Sequence, residues 1–256
     1  MSWIIAIPSY NRLTIIQTKT LTFLKNNNIP NHLIHIFIVE EDLDAYKTIP
    51  TDLYGHLIVG VKGLVHQRRF ISNYFTEGQH IVSLDDDITN LVFLPDQILP
   101  LSDFFNKAFN ICVEEKSYIW GFYPIANLFY MNNNVEYSSH LTAICGAAFG
   151  FINRPNNTNL VLDITAENGN KEDVENTILH WILDKKIIRF NRIGILTKYY
   201  NTNGGMGTRT DRMEPSKTNT ILLTQKYPDI TKIKIRKNGM YEIVLKDKSV
   251  FGRIRK

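Results

Sequence analysis

Short apolar runs alternate with amphipathic stretches through the first ninety residues, and that rhythm restricts the chain to an α/β sheet with crossover helices. Trp3–Pro8, residues 33–39, residues 57–61 and His80–Leu84 read as strands. Residues 13–25, with Leu13, Ile16, Leu21 and Leu24 as a stripe, and residues 65–75 read as the helices between them. Beyond residue 90 the pattern is less regular. Residues 102–115 and 173–185 read as helices, residues 118–123, 143–152 and 187–190 as buried strands, and residues 199–212 as a glycine-containing loop. In the tail, residues 232–236 and Tyr241–Leu245 flank Asn238-Gly239, a strong hairpin signal. The expected organisation is one domain over residues 1–225 and a basic C-terminal β-hairpin appendage over 226–256.

Composition narrows the class. No apolar run approaches the ~20 residues of a membrane helix, and residues 1–8 read as a buried strand rather than a signal peptide. Two cysteines, Cys112 and Cys145, supply neither a disulfide framework nor a metal site. The seven histidines show no metal spacing. A reducing, cytoplasmic setting is the default expectation. The net charge is only +4, yet ten of the last 31 residues are Lys or Arg against three Asp or Glu. Such a tail suits either a polyanion such as nucleic acid or a solvated hairpin.

The sharpest chemical feature is Asp85-Asp86-Asp87, directly after the apolar strand His80–Leu84. Adjacent carboxylates repel and call for a cation or solvent. Strand alternation would place Asp85 and Asp87 on one side and Asp86 on the other. Two hard oxygen ligands suit Mg²⁺ or Mn²⁺ with positions left for diphosphate oxygens. The carboxyl end of a strand is also where open α/β sheets bind ligands. The first strand ends in Pro8-Ser9-Tyr10-Asn11-Arg12. There Tyr10 offers a flat face for a base, and Arg12 offers a fork for phosphate. Lys171-Glu172-Asp173 precedes an amphipathic helix, so its carboxylates either complement the helix dipole or act as a base. The stretch 201–212 holds Gly204, Gly205, Gly207, Arg209 and Arg212. It could clamp phosphate, and it lacks the Gly-Lys-Ser/Thr ending of a P-loop.

Together these motifs resemble the nucleotide-sugar half of GT-A glycosyltransferases. The run from Gly63 to Gly78, leading into residues 81–88, further resembles the TET/JBP-associated glycosyltransferases of phages, other large DNA viruses and some eukaryotes. That family is thought to glycosylate hydroxymethylpyrimidines in DNA. The likeness is clearest over residues 4–90. It implies a GT-A, Rossmann-like, mixed and mostly parallel sheet flanked by helices. It also implies Mn²⁺ or Mg²⁺ on Asp85 and Asp87, and a nucleotide-sugar donor, with UDP favoured. Pro8, Tyr10, Arg12, Glu40 or Glu41, Arg68, Asp85 and Asp86 would hold the donor, with Gly204, Gly205 and Arg209 as a lid. Asp173, or next Glu172, would be the base toward the acceptor, with Asp163 and Glu167 as competing carboxylates. Inversion is the simplest outcome, and retention uses the same metal motif. The expected acceptor is double-stranded DNA bearing hydroxymethyl bases, in host cytoplasm if the protein is viral. Transfer to a glycan or protein and a non-catalytic nucleic-acid-binding module are the rival readings.

Overall fold

The computed structural model describes residues 2–131, 135–197 and 208–246. Its strands are β1 Trp3–Pro8, β2 Ile34–Ile38, β3 His56–Val59, β4 His80–Leu84, β5 Asn90–Phe93, β6 Ile119–Tyr123, β7 Tyr137–Ser138, β8 Ala148–Ile152, β9 Ile188–Leu196, β10 Thr231–Ile235 and β11 Tyr241–Leu245. The α-helices are α1 Leu13–Ile16, α2 Thr22–Asn26, α3 Leu43–Tyr46, α4 Leu64–Tyr74, α5 Leu101–Glu115, α6 Leu128–Met131, α7 Glu172–Asp184 and α8 Arg209–Lys226. The main sheet has the order β3-β2-β1-β4-β8-β6-β9-β5, with β7 joined to β9. Strands β1 to β4 pair in parallel, and β8 lies antiparallel between β4 and β6. β9 is parallel to β6, while β5 and β7 oppose it. β1–β4, β6 and β9 therefore run one way, giving the expected mixed, mostly parallel sheet. β10 and β11 form a separate two-stranded sheet.

Alternation along the strands fills both faces. Ile5 and Ile7 of β1, with Val82 and Leu84 of β4, join a core that holds Phe104, Phe105 and Phe109 of α5 and Trp120 of β6. Ala6, Phe37 and Ile81 point the other way and pack on Ile71 of α4. Trp120 lies opposite Gly150 in the β6–β8 register. A methyl group at Gly150 would sit 2.2 Å from the indole, so the glycine makes room for the ring.

Three expectations change. The run 143–152 is a strand only over β8, because residues 143–147 form an irregular segment whose backbone serves the site below. The strand expected at 187–190 continues to Leu196, where it pairs with β5, which the sequence pattern did not reveal. Residues 209–212 are the first turn of α8, not loop. The side chains of Ser216, Asn219, Thr220 and Leu223 are buried at helical spacing, so the inward face of α8 is mostly polar. Thr208 and Asp211 form a reciprocal capping box at its start. Gly204, Gly205 and Gly207 lie outside the described residues. No helix among the described residues is long and apolar enough to cross a membrane.

Candidate active site

The carboxyl ends of β1 and β4 meet because the two strands are parallel neighbours. Asp85-Asp86-Asp87 leaves β4 there, and Ser9 to Arg12 leaves β1. The α1–α2 segment is interrupted by a π-helical turn, Gln17–Leu21. Such a turn inserts a residue and is frequent at functional sites. It presents the buried Thr20, whose hydroxyl donates to the Asp85 carbonyl at 2.8 Å and accepts from the Ile88 amide at 2.9 Å. The acidic turn is thereby held at both ends. The Asp85 amide donates to the Ala147 carbonyl at 2.8 Å.

The three carboxylates have different surroundings. Asp86 is 3% exposed and turned back toward β1. Its oxygens accept from Ser9 Oγ at 2.6 Å and from the Arg12 guanidinium. Asp87 accepts from Arg12 at 2.9 Å and from Thr197 Oγ1, beyond β9, at 2.7 Å. The Tyr46 hydroxyl, fixed on α3, pairs with Ser9 Oγ at 2.7 Å and accepts from the Arg12 amide at 3.1 Å. Arg12, expected at a phosphate, is thus engaged by Asp86 and Asp87.

Asp85 faces the other way. Its side chain keeps 37% of its surface exposed, and Arg68 of α4 lies 3.6 Å from Oδ1. Arg68 also stands 3.2 Å from the buried Glu172 and donates to the Gly146 carbonyl at 2.8 Å. Asp173 Oδ2 accepts from the Gly146 amide at 3.4 Å, and its Oδ1 from the Val174 amide at 2.9 Å. A methyl group at Gly146 would fall 2.7 Å from Glu172 Oε1, 3.2 Å from Asp173 Cβ and 3.3 Å from Arg68. The two halves of the site therefore converge on one side-chain-free position. Glu172 Oε2 and Arg68 Nε and Nη1 are buried without hydrogen-bond partners among the described residues.

Desolvation dominates the electrostatics. It raises the Asp85 carboxyl to about 6, opposed by Arg68 and reinforced by Asp87 and Asp173. It raises Asp86 to about 7 against the pull of Arg12 and Ser9. It raises Glu172 to about 8, with Asp173 and Asp85 adding repulsion to the attraction of Arg68. A cluster of reluctant carboxylates is short of positive charge, which is a fit for a cation. Among the described residues no three or more His, Cys, Asp or Glu side chains are grouped as a metal cage. A diphosphate-bound Mg²⁺ needs only one or two carboxylates, the rest being phosphate and water.

The remaining expected contacts surround this centre. Pro8 ends β1 opposite Phe37. Lys62 Nζ, which sequence reading missed, stands 5.0 Å over the Tyr10 ring. Glu40 and Glu41 are exposed in a short 3-10 turn, while Asp42 accepts from the Asn11 amide at 2.7 Å. Of the competing carboxylates, Asp163 pairs with Lys226 at 2.9 Å, and Glu167 is exposed. Ser9, Thr20, Tyr46, Thr197 and Gly146 also escaped the sequence reading as site residues. Ser9 lay inside the noted turn after β1, and Gly146 inside the small apolar run 143–150.

Comparison with solved structures identifies the fold. A mannosyltransferase from Pyrobaculum calidifontis, in complex with GDP-Man and Mn²⁺, superposes over 87% of this chain with a TM-score of 0.55 at 13% identity. The chain has the GT-A fold. S. aureus TarS 1-349 in complex with UDP aligns over 88% of the chain with a TM-score of 0.50 at 11% identity. The chain spans 64% of the mannosyltransferase chain and 66% of the TarS 1-349 chain. No family model and no curated sequence matches it.

Proposed function

We propose that this protein is a nucleotide-sugar-dependent glycosyltransferase that requires a divalent cation. The observation that carries the proposal is the convergence of Arg68, Glu172 and Asp173 on the bare backbone of Gly146, with Asp85 at the carboxyl end of β4 lying 3.6 Å from Arg68. Asp85, with the lone pairs that Arg12 and Thr197 leave on Asp87, would hold Mn²⁺ or Mg²⁺, which supplies charge neutralisation to a departing diphosphate. The GDP-Man and Mn²⁺ of the mannosyltransferase and the UDP of TarS support a donor of this class. Tyr10 and Lys62 offer a stacking face and a cation for the nucleotide, and the exposed Glu40 and Glu41 offer acceptors to a base.

Asp173 is the base of choice. Both its oxygens are oriented by backbone amides, and it is only half-buried. Glu172 is buried against Arg68 and holds its proton near neutrality, so it positions Arg68 rather than accepting a proton. A carboxylate at Asp173 would take the hydroxyl proton of the acceptor as the oxygen attacks the sugar.

The acceptor we favour is a hydroxymethylated pyrimidine in DNA, the reading that the likeness to the TET/JBP-associated family implies. Two surfaces support it. The β10–β11 hairpin exposes Lys232, Lys234 and Lys237, and it packs on α8. α8 is tied to the segment before Asp173 through Asn219, which donates to Asn168 and Asn170, and through Arg212, which donates to Asn170. Past the carboxyl end of β6, on the same sheet edge as Asp85, Leu128, Phe129 and Tyr130 are exposed. Exposed aromatic rings of this kind can stack an extruded base.

The test is transfer from a panel of nucleotide sugars, with and without Mn²⁺, to duplex DNA containing 5-hydroxymethylcytosine, to unmodified duplex, and to simple sugars. Mass gain on the modified duplex alone is the expected result. Neither a metal-dependent thermal shift nor turnover with any donor would return the chain to a binding module. Lys232→Gln with Lys234→Gln should lower the salt dependence of DNA affinity by roughly two phosphate contacts.

A further inference from the structure

A cavity of about 240 Å³ lies between α4, the central strands β4 and β8, α7 and the segment 154–166. None of Asp85, Asp86, Asp87 or Asp173 lines it, so it is distinct from the cleft described above. It meets that site only through Arg68 and Glu172, which wall one end. We propose that this cavity binds a small aryl carboxylate bearing a ring hydroxyl.

The walls are built rather than loosely folded. Glu175, fully buried, accepts from the amides of Asp163, Ile164 and Thr165 and from Thr165 Oγ1, at 2.7–3.3 Å. That single carboxylate fixes the segment over the cavity. Asn153 Nδ2 donates to the carbonyls of Ser72, Phe75 and Thr76 and so holds the end of α4 to β8. Arg154 makes a bidentate pair with Asp184 at 2.7 and 2.8 Å, anchoring the segment to the end of α7.

The lining specifies the ligand. Phe149 and Phe151 lie 28° from parallel with centroids 5.8 Å apart, and Val65, Ile71, Leu160 and Leu162 complete an apolar interior. That surface accepts a flat apolar body. His180 is 5% exposed and reaches the cavity from α7. Its Nδ1 lies 3.0 Å from the Asn176 carbonyl, which can only accept, so the proton is on Nδ1. Burial holds the ring neutral, at about 4. Nε2 is then an acceptor, and it has no partner among the described residues. It calls for a donor on the ligand, such as a ring hydroxyl. Arg69 lines the cavity yet is exposed, which places it at the mouth. It makes no ion pair or hydrogen bond among the described residues, and it suits an anion. The volume exceeds the ~150 Å³ of a void that takes benzene, so a ligand of roughly ten to twelve heavy atoms fits.

The probe is 3-(4-hydroxyphenyl)propionate, measured by calorimetry and by ligand-observed NMR on the full chain. Saturable 1:1 binding is expected. Affinity should fall about tenfold for 3-phenylpropionate, which lacks the hydroxyl, and about tenfold for tyramine, which lacks the carboxylate. Arg69→Gln, on the surface, should weaken the probe about tenfold at an unchanged melting temperature. Ala166→Trp should fill the cavity and abolish binding. Should that variant melt lower, His180→Phe serves in its place and should weaken the hydroxylated probe but not 3-phenylpropionate. Absence of saturable binding, or equal affinity in all variants, overturns the assignment. None of these readouts uses a nucleotide sugar or DNA, so the result stands apart from the proposed transferase activity.

Discussion

The site contains two arginine-centred clusters of nearly the same composition, and they are opposites. Arg12 faces Asp86 and Asp87, and Arg68 faces Asp85 and Glu172. Around Arg12 the carboxylates are further bonded by Ser9 and Thr197, and Tyr46 braces the loop. Around Arg68, Glu172 Oε2 and two guanidinium nitrogens lack partners among the described residues, and Asp85 opens to the cleft. A more fully bonded network rigidifies, whereas one with more open positions retains capacity for a ligand. The difference divides an acidic triplet that looks uniform in sequence: Asp86 holds β4 to β1, and Asp85 opens to the cleft.

The largest expected effect tests that division from the open side. Asp85→Asn should cost at least about 100-fold in transfer while leaving the melting temperature equal or higher, because a poorly compensated carboxylate is removed. Loss of folding in this variant would erase the contrast. Asp86→Ala should behave in reverse and lower stability by about 3 kcal/mol, since Arg12 loses a buried partner. Asp86→Asn should cost much less, because the hydrogen-bonding shape survives. Denaturant titration separates the two.

Gly146→Ala comes next. The added methyl presses on Glu172, Asp173 and Arg68 together, so about 2 kcal/mol of stability should be lost with activity falling in parallel. An active, fully stable Gly146→Ala protein would show that the open cluster is not tightly assembled.

The smallest effect is in pH dependence without added cation. The folded-state values of Asp85, Asp86 and Glu172 are raised, to about 6, 7 and 8. Their contribution to stability is fully present below the unfolded carboxylate range and is lost as pH rises through those values. His35 and His180, lowered to about 4, act oppositely: their contribution is present above about pH 6.5 and is lost as pH falls toward 4. Between pH 6.5 and 8 the carboxylates stand alone, and stability should decline with rising pH. Glu172→Gln should flatten that decline by up to about 1 kcal/mol per pH unit. An unchanged slope would mean Glu172 is already ionised beside Arg68.

Much of this was readable from the sequence because the strands that frame the site are continuous apolar runs with clear ends. β1 and β4 were located to the residue, and the Asp triplet followed directly. What escaped has a common cause. α8 hides its packing face in Ser216, Asn219 and Thr220, so no apolar stripe marks it. Thr197 reaches Asp87 across 110 residues, and Tyr46 reaches Ser9 across 37. Such contacts have no local pattern. Gly146 sat in a run of small residues that read equally as strand, and only the three side chains crowding it explain the irregular backbone.

The extra residue in the Gln17–Leu21 turn has a consequence for how this protein can vary. Excising Lys19 would rewind the segment into an ordinary spiral and rotate Thr20 away from the acidic hairpin bend. No residue of the cleft would be altered, yet the bend from Asp85 to Ile88 would lose the Thr20 hydroxyl that ties its two ends together. Length at that point, more than residue identity, is what the chemistry is sensitive to.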